Sequence, residues 1–508
     1  MPYINKNDCR QSEHRRQEEF ALKKYHKVNK EDYEKWYGEH QAYRDRVKSD
    51  PNRLAYHLMP ETGWLNDPNG LCQLHGLYHI YYQYTPFEPT GEIKLWGHYT
   101  TKDFVRYTSE EPVLFPDHDF DAHGVYSGSA FVEDGTIHYF YTGNVKCFDR
   151  DDHDYIMSGR ESNTIYFSSR DGYEFSEKMV LMTNRDYPAD MSCHIRDPKV
   201  FYHGSAYYMA LGARDKESKG MVLLYRSENL KDWEYYNRIT TEAPFGYMWE
   251  CPDLFWLDGQ LCLICCPQGV APRGVDFWNV HQCTVMGLDY DFGANTYRMN
   301  RLEDNQEKIS MVDRGFDFYA PQTFEDETGR RILIGWMGIP DADYTNPTTQ
   351  AGWQHALTIP RVLHWAGGRL IQTPVEELKH MRCHGRTYDL GQLNEAGEKE
   401  IVYEACFQFG ACERMTLTLR AGVTLNYENR LLTLDMGGKG SGRTNRSVMV
   451  DDLRELQVFS DTSSLEVFVN GGEEVFTTRV YGMEGSIRAD GACSGCVDLY
   501  DLSGFIYE

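Results

Sequence analysis

Three carboxylic acids that lie close to prolines are the residues of this sequence best suited to do chemistry. They are Asp67 in the segment WLNDPNG (residues 64–70), Asp197 in RDPKV (196–200) and Glu250 in ECPD (250–253). Because proline fixes φ, and both Asn and Gly tolerate left-handed conformations, an isolated Asp-Pro-Asn-Gly indicates only a tight turn. Three such acids, each predicted at the mouth of a strand, favour one common site over three separate turns.

Two carboxylic acids on either side of the scissile bond are the minimum apparatus for glycoside hydrolysis. One attacks as a nucleophile or activates water, and the other, held protonated, donates to the leaving oxygen. Arg196 would favour the ionised form of Asp197 if its guanidinium points the same way, which suits an acid that stabilises positive charge or holds sugar hydroxyls. The apolar segment Tyr247–Trp249 would raise the pKa of Glu250, which leaves Asp67 as the better nucleophile candidate.

Aromatic side chains, amides and hydroxyls of the kind that line sugar pockets surround these acids in the sequence. The predicted sugar contacts are Trp64, Asn66, Gln83, Trp96, Tyr126, Ser127, Arg196, Tyr319 and Trp336. Taken singly, each is better explained by a structural role. Their grouping around the three acids favours a sugar site.

The composition excludes several classes of partner. The chain has 508 residues and a formal net charge of −25, which argues against binding to nucleic acid or to an anionic membrane. It has no apolar run of about eighteen residues or more, and its N-terminus lacks the apolar core of a secretion signal. The 14 cysteines lack the density of a small disulfide-rich secreted domain. We therefore expect reduced cysteines and a cytoplasmic location.

Metal binding is a rival explanation that the cysteines raise. Cys262 and Cys265 form one Cys-x-x-Cys pair, and Cys493 and Cys496 form another. The first pair lies in an apolar strand that would send its two side chains to opposite faces. Neither pair has a partner pair at zinc-finger spacing, so we predict no metal site and no cofactor. The Gly-rich segment 437–442 lacks a Gly-Lys-Ser/Thr ending and a following helix, which predicts a flexible hairpin loop.

The elements that must position the acids are short strands. From Leu54 to about Trp365, strand-like runs alternate with Gly, Asp, Asn and Pro, and comparable corners recur near residues 68, 127, 198, 252 and 321. Five units of roughly sixty residues, each with room for four strands, predict an all-β, five-bladed β-propeller whose first strands surround a central axis. A large β-sandwich with accidental spacing is the alternative.

The flanking segments predict further domains. Residues 1–53 are predicted to be a charged, helical extension whose aromatics Phe20, Tyr25, Tyr33 and Trp36 pack against the body, with a partner-binding arm as the alternative. Residues 54–366 would form the catalytic propeller, 367–382 a linker with a short helix, and 383–508 a C-terminal β-sandwich.

Read together, the motifs resemble glycoside hydrolase family 32, the invertase, sucrose-6-phosphate hydrolase and fructanase family. The resemblance runs in order over about residues 56–378. It includes WLNDPNG (64–70), YSGSA (126–130), RDPKV (196–200), ECPD (250–253), DFYAPQ (317–322), GWM (335–337) and ALTIPR (356–361). It implies a five-bladed propeller followed by a β-sandwich, and a retaining mechanism through a covalent fructosyl-enzyme.

The resemblance also implies a role for individual residues. Asp67 matches the nucleophile, Glu250 the acid/base and Asp197 the transition-state stabiliser, while Arg196, Asn66, Gln83 and Ser127 match fructose-binding positions. One departure is the segment TGEIKLWGH (90–98), which lacks a Trp that many members carry a few residues before Trp-Gly-His. The leaving-group side of the pocket is therefore expected to differ.

The sequence thus predicts a β-fructofuranosidase that cleaves sucrose or sucrose 6-phosphate. Exo-hydrolysis of imported fructo-oligosaccharides is an alternative, and a catalytically silent sugar-binding propeller is another. The expected partner is a small sugar, and homo-oligomerisation stays open. Because the protein is acidic overall, a phosphate group would need local cations, for which Lys94, His98 and Arg273 are candidates.

Overall fold

The computed structural model describes residues 27–148, 153–420, 422–482 and 484–508. The first part of the predicted helical extension, including Phe20 and Tyr25, lies outside the described residues. Two helices follow it, α1 (Lys30–Glu39) and α2 (Gln41–Lys48). None of the helices in the described part of the chain is both long and apolar enough to cross a membrane.

Helix α1 begins at a capping box. The Asn29 side chain accepts a hydrogen bond from the backbone N–H of Asp32, and the Asp32 side chain accepts one from the backbone N–H of Asn29. Tyr33 is buried against Phe115, with 6.1 Å between the ring centroids. The described half of the predicted aromatic stripe therefore packs on the body of the protein.

Short strands make up most of the chain from residue 63 to residue 374. In order they are β1 (Gly63–Leu74), β2 (Leu77–Thr85), β3 (Leu95–Thr101), β4 (Arg106–Leu114), β5 (Val125–Glu133), β6 (Thr136–Lys146), β7 (Arg160–Ser169), β8 (Met179–Met182), β9 (Met191–His203), β10 (Ala206–Asp215), β11 (Gly220–Ser227), β12 (Glu234–Ile239), β13 (Met248–Leu257), β14 (Gln260–Gln268), β15 (Thr284–Asp291), β16 (Thr296–Met299), β17 (Ser310–Met311), β18 (Tyr319–Glu325), β19 (Arg331–Met337), β20 (Trp353–Gln354), β21 (Ala356–Leu357), β22 (Arg361–Ala366) and β23 (Arg369–Pro374). A short helix, α3 (Thr348–Ala351), precedes β20.

Four antiparallel sheets have the predicted form of a propeller blade. Strands β5–β8 and β9–β12 form four-stranded sheets, and two five-stranded sheets contain β13–β17 and β18, β19, β21, β22 and β23. The first sheet is different, with the order β20-β1-β2-β3-β4-β33, and its two edge strands pair in parallel. The strands β1, β5, β9, β13 and β18 lie next to one another around a central axis.

The prediction of a five-bladed propeller is therefore wrong. Four blades are each built within one stretch of the chain, and a composite six-stranded sheet, with edge strands from residues 353–354 and 506–507, completes the ring. The spacing of the five corners near residues 68, 127, 198, 252 and 321 could not reveal this difference, because the corner in β1 has the same proline as three of the blades. Edge strands of two residues are too short to carry a periodic signal.

The C-terminal region also consists of strands. They are β24 (Arg382–Asp389), β25 (Tyr403–Arg420), β26 (Val423–Glu428), β27 (Leu431–Asp435), β28 (Asn445–Met449), β29 (Glu455–Asp461), β30 (Ser464–Val469), β31 (Glu474–Arg479), β32 (Gly485–Leu502) and β33 (Ile506–Tyr507). A 3₁₀ helix (Glu376–Met381) precedes β24, and helix α4 (Leu390–Ala396) follows it.

The predicted C-terminal β-sandwich takes the form of a sandwich-like barrel whose two layers belong to one sheet. Strands β24–β32 form one nine-stranded sheet, because β25 pairs with β26, β29 and β32. Strands β25 and β32 are 18 residues long, so each continues through both layers and joins them into a sandwich-like barrel. The Gly-rich segment 437–442 lies between the paired strands β27 and β28, which confirms the predicted hairpin loop.

Two of the cysteines differ from the prediction that all are reduced. Cys412 on β25 and Cys493 on β32 form a disulfide. Cys262 and Cys265 on β14 are free and buried in different hydrophobic clusters, which confirms that this strand sends them to opposite faces.

A buried ion cluster holds the blade β18–β23 against the C-terminal barrel. The guanidinium of Arg361 on β22 lies 3.1 Å from Asp313 and 2.6 Å from Glu466 on β30, and all three side chains are inaccessible to solvent. Arg361 also donates to Thr477 on β31 over 2.6 Å. A charge buried at this depth is tolerated because it is paired and hydrogen-bonded.

We expect Arg361→Met to lower the free energy of unfolding by about 3–5 kcal/mol, because it leaves two buried carboxylates without their cation. Urea denaturation followed by intrinsic fluorescence measures the change. Arg369→Met is the matched control, since Arg369 lies on the same hairpin but is half exposed and forms only a 3.5 Å surface pair with Glu473. A similar loss for both variants would contradict the role given to the buried cluster.

Candidate active site

A cavity of about 240 Å³ opens at one end of the central axis, and we call it the funnel. All of the predicted catalytic and sugar-binding residues line it except Trp96. Lys94, Tyr155, Cys251 and Pro340 complete the lining. The five inner strands therefore bring together residues that are up to about 270 positions apart in the sequence, between Trp64 and Trp336.

The three acids sit at β-bulges inside strands, which differs from the prediction that each lies at the mouth of a strand. Pairing shifts occur in β1 between Leu65 and Pro68 and in β13 between Glu250 and Asp253, and a similar irregularity affects β9 near Asp197. A bulge leaves one residue unpaired and re-aims its neighbours, and proline fits there because it has no N–H to pair. The Pro residues after these acids therefore turn the strand toward the funnel.

Asp67 is held by hydrogen bonds from its own sheet and from the neighbouring sheet. Asn66 Nδ2 donates to Asp67 Oδ1 over 3.0 Å, and Ser127 Oγ donates to the other oxygen. Gln83 links these donors, since its Oε1 accepts from Asn66 over 2.6 Å and its Nε2 donates to Ser127 over 2.5 Å. Burial raises the pKa of Asp67, while the hydrogen bonds from Ser127 and Asn66 and the charge of Lys94 oppose the increase.

Glu250 is surrounded by donors, which contradicts the prediction of an apolar wall. Arg196 donates to Oε1 through Nε and Nη2, over 3.0 and 2.7 Å. Oε2 accepts from Gln268 Nε2 and from the Tyr319 hydroxyl, each over 2.7 Å. Trp249, the apolar neighbour in sequence, points away into the hydrophobic core between blades. The carboxyl group is thus fixed in position by polar contacts from three residues.

Asp197 lies close to Cys251, whose thiol also approaches Asp67. The backbone N–H of Cys251 donates to Asp197 Oδ2 over 2.9 Å, and its thiol lies 3.6 Å from both Asp67 Oδ2 and Asp197 Oδ2. Burial raises the pKa of Asp197 to about 7, with the charges of Glu250 and Asp67 adding to the effect and that of Arg196 opposing it. The charge of Arg196 favours ionisation of Asp197, as predicted, but burial has the larger effect on the pKa. The Arg196 guanidinium donates its hydrogen bonds to Glu250.

Aromatic rings form another part of the funnel's wall. The rings of Trp64 and Trp336 lie 6.0 Å apart, and His355 packs 4.3 Å from Trp64. His355 Nδ1 accepts a 2.7 Å hydrogen bond from Trp336 Nε1, and Trp64 Nε1 donates to Asn66 Oδ1 over 2.9 Å. Flat apolar faces beside amide and hydroxyl groups suit the binding of a sugar ring.

Three residues that the sequence nominated lie elsewhere. Trp96 is fully buried inside the first sheet and donates to the backbone oxygen of Tyr126 over 3.2 Å, so it supports the funnel from behind. His98 is buried between His79 and Tyr81, with ring centroids at 5.2 and 4.2 Å. Arg273 is exposed on the loop after β14 and is not part of the lining.

Lys94 and Tyr155 also line the funnel, although the sequence gave neither of them a role in catalysis or in binding the fructosyl unit. Burial lowers the pKa of Lys94 to about 7, and the charges of Asp67 and Glu92 oppose this decrease. Lys94 lies in the segment that lacks the upstream Trp, and its Nζ sits 5.1 Å from the centre of the Trp64 ring. Tyr155 lies in the polar connection between β6 and β7, where no sequence pattern marks it as a site residue.

Comparison with known proteins identifies the family to which this site belongs. The model of the glycosyl hydrolases family 32 N-terminal domain matches residues 57–374, and that of the family 32 C-terminal domain matches residues 387–493. A sucrose-6-phosphate hydrolase of Bacillus subtilis (strain 168) is 38% identical over 465 residues, which cover 88% of this chain and 93% of that protein. A sucrose-6-phosphate hydrolase of Staphylococcus xylosus is 36% identical over 485 residues, with 91% and 92% covered.

Solved structures give the same result. The sucrose-6-phosphate hydrolase from Lactobacillus gasseri superimposes with a TM-score of 0.84 at 27% identity, covering 95% of this chain and 99% of that one. The GH32 β-fructofuranosidase of Bombyx mori gives a TM-score of 0.79 at 25% identity, covering 94% and 99%. The two family models match in the expected order, the relatives match nearly the whole chain, and the solved structures share its fold. This chain belongs to glycosyl hydrolase family 32.

Proposed function

We propose that this protein is a β-fructofuranosidase that hydrolyses the bond between the fructosyl unit and glucose in sucrose or sucrose 6-phosphate. The observation that carries the proposal is the convergence of Asp67, Asp197 and Glu250 in one funnel with amide donors and aromatic faces. Relatives named sucrose-6-phosphate hydrolase, at 38% and 36% identity, support the choice of substrate.

In the first step, the Asp67 carboxylate attacks the anomeric carbon of the fructosyl unit. The bond from that carbon to the glucose oxygen breaks, and the oxygen takes the proton of Glu250, which acts in its protonated form. Positive charge that develops on the fructosyl ring lies beside Asp197, which stabilises it when ionised. The Asn66, Gln83 and Ser127 chain of hydrogen bonds holds the Asp67 oxygens in line for attack.

In the second step, Glu250 is a carboxylate and takes a proton from water that has entered the place of glucose. The water oxygen attacks the same carbon, and the ester bond to Asp67 breaks. Arg196, Gln268 and Tyr319 keep the Glu250 carboxyl group in place for both proton transfers. Each step inverts the anomeric carbon, so the configuration of the fructosyl unit is retained overall.

The size of the funnel supports cleavage at a chain end. A volume of about 240 Å³ lies below the 300–1,000 Å³ typical of ligand pockets, so we assign the funnel to one fructosyl unit and place the leaving sugar at its rim. The same geometry accommodates the terminal unit of a fructo-oligosaccharide, which we keep as the second candidate substrate.

The direct test is release of glucose from sucrose by the purified protein, measured with an enzyme-coupled assay, beside release of fructose from a short fructo-oligosaccharide. We expect faster turnover of sucrose or its 6-phosphate. A protein that binds these sugars without cleaving any of them would support the silent binding module and contradict the proposal.

The same proposal gives each segment of the chain a role. We assign catalysis to residues 54–366, with 367–382 as the linker, 383–508 as a supporting domain and 1–53 as an extension packed on the catalytic part. A cytoplasmic location and the oligomeric state remain predictions.

A further inference from the structure

His57 lies outside the funnel lining, where the segment before β1 meets the C-terminal barrel. Its Nδ1 lies 2.7 Å from Asp461 Oδ2 on β29, and its Nε2 lies 2.9 Å from Glu466 Oε1 on β30. All three side chains are inaccessible to solvent. The imidazole ring therefore bridges two carboxyl groups of the barrel, with one ring nitrogen facing each of them.

Asp461 receives further hydrogen bonds from the backbone. Its Oδ1 accepts from the N–H of Ala55 over 2.7 Å, and its Oδ2 accepts from the N–H of Tyr56 over 2.9 Å. Burial raises the pKa of Asp461, but the hydrogen bond and charge of His57 and these two backbone groups bring it below its usual value. Asp461 is therefore an ionised carboxylate, which can only accept hydrogen bonds.

Glu466 is in the same condition. Its Oε1 accepts from the N–H of Ile359 over 2.9 Å, and its Oε2 accepts from Arg361 Nη2 over 2.6 Å. Burial raises the pKa of Glu466, but the charge of Arg361 and the hydrogen bond from His57 bring it below its usual value. Because both carboxylates only accept, each ring nitrogen of His57 has to donate. The ring then carries two protons and a positive charge.

The balance of buried charge favours the same state of the ring. In the described part of the chain, the ion pairs of Asp313, Glu466 and Asp461 are formed with Arg361 and His57. A neutral His57 would leave one cation for three buried carboxylates, which is costly. Burial lowers the pKa of His57, but the hydrogen bonds and charges of Asp461 and Glu466 raise it above its usual value.

The other titratable groups around the ring do not replace its charge. Tyr56 packs beside it, with 4.9 Å between the ring centroids, and burial raises the pKa of Tyr56 well above its usual value, so the hydroxyl stays neutral. Arg420 and Glu404, both on β25, act on this cluster through their charges. Glu404 is paired with Arg382 over 2.5 Å, and Arg420 makes its hydrogen bonds to Ser460 and to backbone oxygens.

The contacts of His57 tie the barrel to the two segments that carry the aromatic wall of the funnel. One segment contains His57 itself and leads into β1 with Trp64. The other is held at Ile359 by Glu466 and contains His355, which packs on Trp64. The two segments are also joined to each other, at residues 58 and 357, by a 2.7 Å backbone hydrogen bond. The charge on the ring therefore affects how firmly this wall is mounted on the barrel.

We propose that His57 is a pH-sensitive clamp, protonated on both ring nitrogens in the folded protein, which fastens the catalytic part to the barrel and loses its hold when the ring loses a proton. Its stabilising effect is complete below about pH 6.5, the usual pKa of an unfolded histidine, and is lost as the pH rises through the higher pKa of the folded protein. The clamp is separate from the catalytic acids, so this inference does not depend on the proposed function.

The first test compares the urea midpoints of the wild type and His57→Gln, which has no titrating group at this position, at pH 6 and at pH 9.5. We expect a clear advantage of the wild type at pH 6 that shrinks to less than about half at pH 9.5. His364→Gln is the matched control, because His364 is exposed and lies 3.4 Å from the half-exposed Asp258 on the surface. It should match the wild type at both pH values. A wild-type advantage over His57→Gln that is constant or grows with pH would overturn the clamp.

A second measurement needs no variant and so does not depend on the folding of His57→Gln. Neutron diffraction from crystals of the wild type, grown in heavy water near neutral pH, locates the exchangeable deuterium atoms directly. We expect deuterium on both Nδ1 and Nε2 of His57 and none on the facing oxygens of Asp461 and Glu466. Deuterium on a single ring nitrogen, with the other proton on a carboxyl oxygen or absent, would show a neutral ring and overturn the proposal.

Discussion

Asp67→Asn is expected to lower kcat on sucrose by at least about 10⁴-fold, because an amide cannot form the ester with the anomeric carbon. The variant should remain folded. Burial already disfavours the charge on Asp67, and an amide can keep hydrogen bonds to Asn66 and Ser127, so removing the charge should cost little stability. Initial rates with sucrose, together with thermal melting, measure both effects.

Asp289→Asn is the matched control for this experiment. It makes the same chemical change on an exposed position of β15, outside the funnel, and should leave both kcat and the melting temperature unchanged. Activity of Asp67→Asn within tenfold of the wild type, in a preparation checked by mass spectrometry for deamidation, would remove Asp67 from the nucleophile's role.

Glu250→Gln is expected to lower kcat on sucrose by about 10²- to 10⁴-fold, the usual contribution of a general acid and base. The loss should be much smaller for a fructoside with a good leaving group, since such a group departs without protonation. Azide should restore part of the rate on that activated substrate, because it attacks the fructosyl-enzyme without needing a base. The appearance of fructosyl azide measures this rescue.

The same azide concentration added to the wild type is the control, and it should not increase the rate of sucrose cleavage. Equal losses of the variant on both substrates, with no rescue, would count against Glu250 as the acid and base. The glutamine oxygen can still accept from Arg196, and its amide group can donate to the Tyr319 hydroxyl, so a local collapse of the site is not the expected reason for the loss.

The sequence was sufficient to select the three acids as candidates for one site, because each is followed by a proline within two residues. It could not show how those residues face the funnel. A bulge depends on pairing with the next strand, and pairing partners are not visible in a single segment. For the same reason, the sequence could not show that the Arg196 guanidinium bonds to Glu250 instead of Asp197. Adjacent residues on a strand point to opposite faces, so contacts between blades decide which carboxylate the guanidinium meets.

Features that depend on remote parts of the chain were the hardest to predict. Strand β33 at residues 506–507 completes the first sheet, and β25 and β32 join the two layers of the C-terminal barrel. Residues 403–408 of β25 pair with β29, whereas residues 414–420 pair with β26. In the sequence, β25 therefore shows only short alternating runs, such as Met415–Leu419, and not one pattern over its whole length. Tyr155 was missed for a related reason, because only the folded ring brings it into the lining of the funnel.

In the proposed mechanism, Asp67 forms a covalent intermediate with the fructosyl unit. The stereochemistry of the released fructose tests this step most directly. Proton NMR recorded during the first minutes of sucrose hydrolysis, before the released fructose equilibrates, distinguishes the two anomers. Two displacements at one carbon restore its configuration, so the account predicts that β-fructofuranose appears first. Initial release of the α-anomer would mean that water attacks directly, and would contradict both the covalent mechanism and the role given to Asp67.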